Sequence, residues 1–299
     1  FNYLPILGKG EFSLNYFYIS MNIPGINKSI LLSIFTGLLS TALALFFSQV
    51  ILLYFFKTKI YNYLKIIISP LIALPHITMA IGLIFILSPS GLFLRFVSPW
   101  LTGFDRPPNT YIFPDEYGFL LILGLMLKEI PFLVLVSLSA LREFSSTKFF
   151  DLGKSFQHSI FSTWFILIFP IIYKKIRLVI FIIIAFSSSV VDMSLLLAPS
   201  TPSTLSVRIL QTFQSSDIDS FFIASNLSLI QLLIIMILLA VWIVFEKIIK
   251  LKCFFNFFIK ITSFKSEFLK FSILFFNIIL FLLSFTGIIC SILWGFSEN

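Results

Sequence analysis

YGFLLILGLMLKEIPFLVLVSLSAL, residues 117–141, is an apolar run interrupted by a single charged pair, Lys128-Glu129. A helix of that length crosses a hydrocarbon core of about 30 Å. The run lacks the period-two alternation of a barrel strand. A bilayer also offers no partner to open backbone groups, so helix is the predicted state.

Five more runs of the same character flank it, at 29–56, 61–87, 176–199, 221–245 and 268–294. The predicted fold class is therefore all-α, a polytopic transmembrane helical bundle with six spans. Composition agrees, because 59% of the 299 residues are hydrophobic and only 11% charged, against roughly 45–50% and 25% in a soluble domain. A mean hydropathy of +1.05 excludes a water-soluble fold.

The formal net charge of +8 has no solvated basic domain to carry it, so it points to topology rather than to nucleic acid. Basic residues divide unequally between alternate connections. Fifteen fall in one set, around Lys57–Lys65, Arg142–Arg177 and Lys247–Lys270, and five in the other, at Lys9, Lys28, Arg95, Arg106 and Arg208. The positive-inside rule puts the first set in the cytoplasm, and the chain start, 88–116, 200–220 and the C-terminus outside. The outer loops mix aromatics with turn formers, as in Pro99-Trp100-Leu101 and Pro107-Pro108, and are predicted to lie on the membrane surface. Pro70 and Pro75 predict a kink in the second span. Cys253 and Cys290 are too few and too far apart for a disulfide framework or a metal cluster. The start at Phe1 and the polar end after an apolar run are those expected of a fragment of a longer protein.

The inner connection at 142–173 is much longer than a simple bundle requires. Its Glu143–Lys154 portion mixes apolar and polar residues as a short helix at the membrane surface does. From Asp151 the chain runs Asp151-Leu152-Gly153, three residues, Gln157, nine residues, Leu167, one residue, Phe169-Pro170. This spacing resembles the inner-loop signature of permeases of binding-protein-dependent ABC importers, Glu-Ala-Ala, three residues, Gly, nine residues, Ile, one residue, Leu-Pro. Pro170 is the one identity. Leu74-Pro75-His76, Pro89-Ser90-Gly91, Ser98–Gly103, Lys128–Phe132 and Val190–Met193 further resemble fused, two-unit permeases of the thiamine type.

The resemblance implies the type I importer permease fold and the following division. Residues 1–28 are a periplasmic segment after a missing first helix, and 29–248 a permease domain of five spans with its coupling loop at 142–173. Residues 249–267 are a cytoplasmic linker, and 268–299 the first span of a second unit. It also implies the bacterial inner membrane and, as partners, an ATPase dimer docked on the loop, a periplasmic solute-binding protein and a second permease unit. ATP and Mg would be bound by the ATPase, since no G-x-x-x-x-G-K-[ST] occurs here. The implied solute is thiamine or a related small cation, with iron(III), polyamine and sulfate importers sharing the plan.

Lys128, Glu129 and Asp192 lie within spans, where ionisable groups cost about 2.5–3.5 kcal/mol and so face a cavity or a partner. Adjacent helical residues diverge by about 100°, so Lys128 and Glu129 each need another partner. Two readings stay open: lining of a translocation path, with Glu129 or Asp192 drawing a cation, or structural contacts between helices. His76 is a further path candidate or a polar packing residue. An ion-coupled secondary transporter using Glu129 and Asp192 is the alternative from another class. A membrane-embedded enzyme lacks any cluster of catalytic polar residues, and Ser187-Ser188-Ser189 reads as close packing.

Overall fold

The computed structural model describes residues 14–55, 58–107, 115–144 and 146–250, with isolated positions between 279 and 296. The predicted linker beyond 250 and most of the run at 268–294 lie outside the described residues, as do residues 1–13.

A short helix, α1 (Asn15–Met21), precedes α2 (Ile26–Phe55). Gly25 turns between them at φ 76°, and the Arg208 guanidinium braces that turn by donating to the Pro24 carbonyl at 2.9 Å. Next come α3 (Lys59–Ala73), α4 (His76–Leu87) and α5 (Leu92–Val97). The expected kink at 70–75 is a complete break. Pro70 is accommodated inside α3, but at Pro75 the missing N–H coincides with an extended Leu74, ψ 138°. After it, α6 (Phe119–Arg142) is continuous through Pro131. Its first turn is held by Asp115, whose carboxylate accepts the N–H groups of Phe119 at 2.8 Å and Leu120 at 3.0 Å.

The connection at 142–173 is helical and not separate from the span that follows. It holds α7 (Ser146–Ser155) and α8 (Ile160–Thr163), then a π-turn (Trp164–Ile168) running directly into α9 (Phe169–Ser189). The Phe169 N–H donates to Trp164 five residues back. The wider turn gives room for Pro170, which lacks an N–H and would crowd a tight one. The span expected at 176–199 therefore begins earlier and stops earlier. Ser189 ends α9, Val190 is extended at ψ 134°, and α10 (Asp192–Leu197) follows. Two Ser hydroxyls, from Ser194 and Ser206, hold the freed Val190 carbonyl, each at 2.8 Å. The chain continues through α11 (Leu205–Phe213) to α12 (Ile218–Lys250), longer at both ends than the run at 221–245.

Contacts give the helix directions. Gly118 lies against Leu32 and Thr36, and Gln49 donates to Ser137 at 3.0 Å, so α2 and α6 run parallel. Leu74 meets Lys128 and Leu83 meets Gly124, so α3 and α4 run against α6. Gly37 meets Ser188 and Phe46 stacks on Phe165, so α9 runs against α2. Gln231 meets Ser188 and Trp242 meets Tyr173, so α12 runs against α9. α6 is the central helix, with buried residues all round it.

Small residues set the closest approach. A Cβ on Gly37 would come within 3.0 Å of the Ser188 Cα, which is backbone, so α2 and α9 touch there as only glycine allows. Buried hydroxyls on α2 turn back on their own helix, Thr36 onto the Leu32 carbonyl and Thr41 onto that of Gly37, both at 2.8 Å. They thereby avoid an unmet polar group in an apolar setting.

Among the described residues four helical segments are long and apolar enough to cross a membrane: Ile26–Phe55, His76–Val97, Phe119–Arg142 and Ile218–Ile248. α9 is not among them, because Lys174, Lys175 and Arg177 fall within its first half. The described residues form an all-α, membrane-embedded bundle. The end bearing α7 carries Lys59, Arg142, Lys148, Lys154, Lys174, Lys175, Arg177 and Lys247, and the opposite end Lys28, Arg95, Arg106 and Arg208.

Candidate functional site

The two breaks, at Leu74–Pro75 and Val190–Val191, flank α6 at the level of Lys128 and Gly124. A helix that stops inside an apolar bundle leaves carbonyls without N–H partners. At the first break those of Leu71, Ile72 and Leu74 are exposed to the interior. The Lys128 ammonium donates to all three, at 3.1, 2.9 and 2.5 Å. Three protons meet three acceptors, and the positive charge sits on the negative end of the α3 dipole. Lys128 thus has its partner in backbone, not in Glu129. Glu129 is itself buried, 6% exposed, and makes no hydrogen bond among the described residues.

At the second break Asp192 opens α10, with one carboxylate oxygen accepting the Met193 N–H at 2.9 Å. α10 packs on α4 and α6. This close approach depends on Gly124, where a Cβ would lie 2.5 Å from Leu197 and 2.9 Å from Met193. His76, the first residue of α4, stacks at a tilt on Phe186 of α9, with ring centroids 4.9 Å apart. It follows by two residues the Leu74 carbonyl that holds Lys128, and its helix packs on α10, which Asp192 opens. The structure thus gathers Lys128, His76 and Asp192 around the two breaks and leaves Glu129 on a different side of α6. Phe186 completes the group, and as one of forty phenylalanines it gave no sequence signal.

The α7 end forms a second, separate region. α7 buries Phe150, which lies against Trp164 with centroids 6.3 Å apart. It also buries Gly153, where any Cβ would overlap the Thr163 side chain. Asp151 is exposed, and Leu152, Phe156 and Ile160 show 50%, 70% and 64% of their surface. α7 closes with a reversed-turn cap: Gln157 is left-handed at φ 57°, its N–H donates to Lys154, and the His158 N–H donates to Gly153, both at 2.9 Å. Leu167 lies in the π-turn, while Phe169 and Pro170 begin α9; all three are half-buried.

Between these regions α9 and α12 are tied by a polar knot that the sequence did not reveal. Arg177 Nε donates to Glu246 at 2.9 Å and its terminal nitrogen lies 2.8 Å from the same carboxylate. Tyr173 donates to Glu246 as well, and accepts the Trp242 indole N–H at 2.8 Å. Among the described residues no group of three His, Cys, Asp or Glu side chains could hold a metal ion. No protein-family model matches the chain, and no curated protein matches it in sequence.

Proposed function

We propose that this chain is a transmembrane permease subunit of an ATP-binding-cassette importer of the type I plan, coupled through α7 to a separate ATPase. The observation that carries this reading is Gln157. It is the one non-glycine residue with positive φ among the described residues, and it occupies the place where the importer signature keeps glycine. A left-handed backbone is what glycine supplies most cheaply, so the local geometry and the signature ask for the same thing at the same position.

Three further features support it. The exposed Leu152, Phe156 and Ile160 offer a compact apolar knob for a groove on the ATPase. Phe150 and Gly153 fix that knob rigidly to the rod that continues into α9, as transmission of force requires. Breaks within α3–α4 and α9–α10 are the interrupted helices from which transporter sites are built.

In this reading the basic α7 end is cytoplasmic by the positive-inside rule, and the membrane is the bacterial inner membrane. Five spans of one unit are α2, α3–α4, α6, α9–α10 and α12, and 268–294 supplies a sixth that opens a second unit. A periplasmic binding protein delivers solute at the other end. ATP and Mg act in the ATPase dimer. Thiamine or a related small cation is the solute, ahead of iron(III), polyamine or sulfate.

The test is affinity purification of the full chain from native membranes, with Leu152→Arg/Phe156→Arg as the comparison. The parent chain is expected to bring down an ATP-hydrolysing subunit and to support ATP-dependent uptake of labelled thiamine into vesicles. The double variant should insert normally and lose both. Uptake driven by a proton or sodium gradient without ATP would replace this reading with a secondary transporter.

A further inference from the structure

The helical period divides α9 into two faces. Ile172, Ile176, Ile180, Ile183 and Ile184 lie on one side and are buried against the bundle. Lys174, Leu178 and Ile182 follow one another at four-residue steps, about 40° apart, on the opposite side. All three are exposed, Leu178 at 70% and Ile182 at 59%. The stripe is apolar apart from the cation at its head.

Two marks place Lys174 at the boundary between hydrocarbon and water. Its neighbour Tyr173 accepts the Trp242 indole N–H at 2.8 Å, and Tyr and Trp with joined polar tips suit that boundary. Charge also begins in this turn of α9, with Lys174, Lys175 and Arg177. Two carboxylates answer it. Lys175 pairs with Glu143 at the end of α6, and Arg177 with Glu246 of α12 at 2.8 Å. Lys174 has no hydrogen bond or ion pair among the described residues. The residues next to the two carboxylates in sequence, Arg142 and Lys247, are exposed cations too. Five cations thus stand against two carboxylates at this level, and the surplus is positive.

An occupant of the stripe must carry negative charge at Lys174 and hydrocarbon over Leu178 and Ile182, which lie about 6 and 12 Å farther along the axis. A phospholipid with a net negative headgroup meets both demands. A zwitterionic one meets only the second, because its own cation answers its phosphate. An acidic soluble segment meets only the first, since its backbone would lose its hydrogen-bond partners beside Leu178 and Ile182.

We propose that the outer face of α9 is a binding site for one anionic phospholipid, with its phosphate on the Lys174 ammonium and an acyl chain along Leu178 and Ile182. The site stands apart from the importer reading, because it requires only that the α7 end of the bundle meets a membrane leaflet.

The full chain in detergent is titrated with dioleoylphosphatidylglycerol, with dioleoylphosphatidylcholine and with glycerol 1-phosphate, and native mass spectrometry counts the bound molecules. Phosphatidylglycerol is expected to bind roughly fivefold or more tighter than phosphatidylcholine, and glycerol 1-phosphate not to displace it. Lys174→Gln should weaken phosphatidylglycerol binding about fivefold, as loss of one lysine near an anionic surface implies, while Lys174→Arg retains it. Leu178→Ser, which leaves the charge alone, should weaken it by about fivefold or more. Lys154→Gln takes the same charge from α7 at the same end and should leave binding within about twofold of the parent. Unfolding midpoints near the parent's show that these exposed substitutions keep the fold. Equal binding of the two lipids, displacement by glycerol 1-phosphate, no loss in Lys174→Gln or Leu178→Ser, or an equal loss in Lys154→Gln would overturn the site.

Discussion

Lys128 closes the gap that Pro75 opens. Without an N–H at position 75 the Leu71 carbonyl has no helical donor, and the Lys128 ammonium, from a helix 57 residues away in sequence, supplies one at 3.1 Å. Lys128→Met should therefore destabilise the purified protein by about 2 kcal/mol, the range for buried acceptors left without a donor. Thermal unfolding in detergent reads it. Adding Pro75→Ala returns an N–H to the Leu71 carbonyl, so the double variant is expected to recover part of the loss, and strict additivity would show that the two residues are not coupled.

Gln157 carries the steric cost of a left-handed residue with a Cβ. Gln157→Gly should raise stability by about 1 kcal/mol, and Gln157→Val should lower it, because a β-branched side chain tolerates that backbone worst. Unfolding midpoints of the two variants, compared with the parent, decide the matter.

The resemblance places alanine where this chain has Gly153, yet a methyl there would overlap Thr163. Gly153→Ala is expected to cost about 1–3 kcal/mol through overpacking and to make α7 more readily cleaved in limited proteolysis. Thr163→Ala in the same chain should restore protection in part, since the residue-163 Cβ still stands 2.9 Å from the added carbon.

Tyr173→Phe removes one donor from the Glu246 carboxylate and the acceptor of the Trp242 indole. A loss of about 1.5–3 kcal/mol is expected, as for a hydrogen bond to a charged group. The Trp242 fluorescence maximum should move with it. An unchanged spectrum and midpoint would mean that the contact adds nothing to the packing of α9 on α12.

Hydropathy made the long helices legible, because α2, α6 and α12 each carry enough apolar residues to be read without neighbours. The prolines marked one interruption. The second, at Val190–Val191, was not legible: nothing in Ser189-Val190-Val191-Asp192 forbids a helix, and the break is stabilised by hydroxyls of Ser194 and Ser206 that only folding brings to the Val190 carbonyl. Lys128 was recognisable as a residue in need of a partner other than Glu129. That the partner would be the end of a broken helix could not be read, because backbone carbonyls leave no trace in composition. The Arg177–Glu246 pair was hidden for a related reason, since both residues sit in basic stretches that read as loop.

The π-turn at Trp164–Ile168 has a consequence for how α7 and α9 can vary. A π-turn holds one residue more than an α-turn, so everything before Trp164 is out of phase with everything after Ile168 by about 100°. Removing a single residue from the turn would bring the two into phase, swinging the Leu152 and Phe156 knob to a new azimuth while leaving α9 seated on α2. The aim of the knob is thus stored in one surplus residue, a setting that a one-residue deletion or insertion can change and that no point substitution on the knob can.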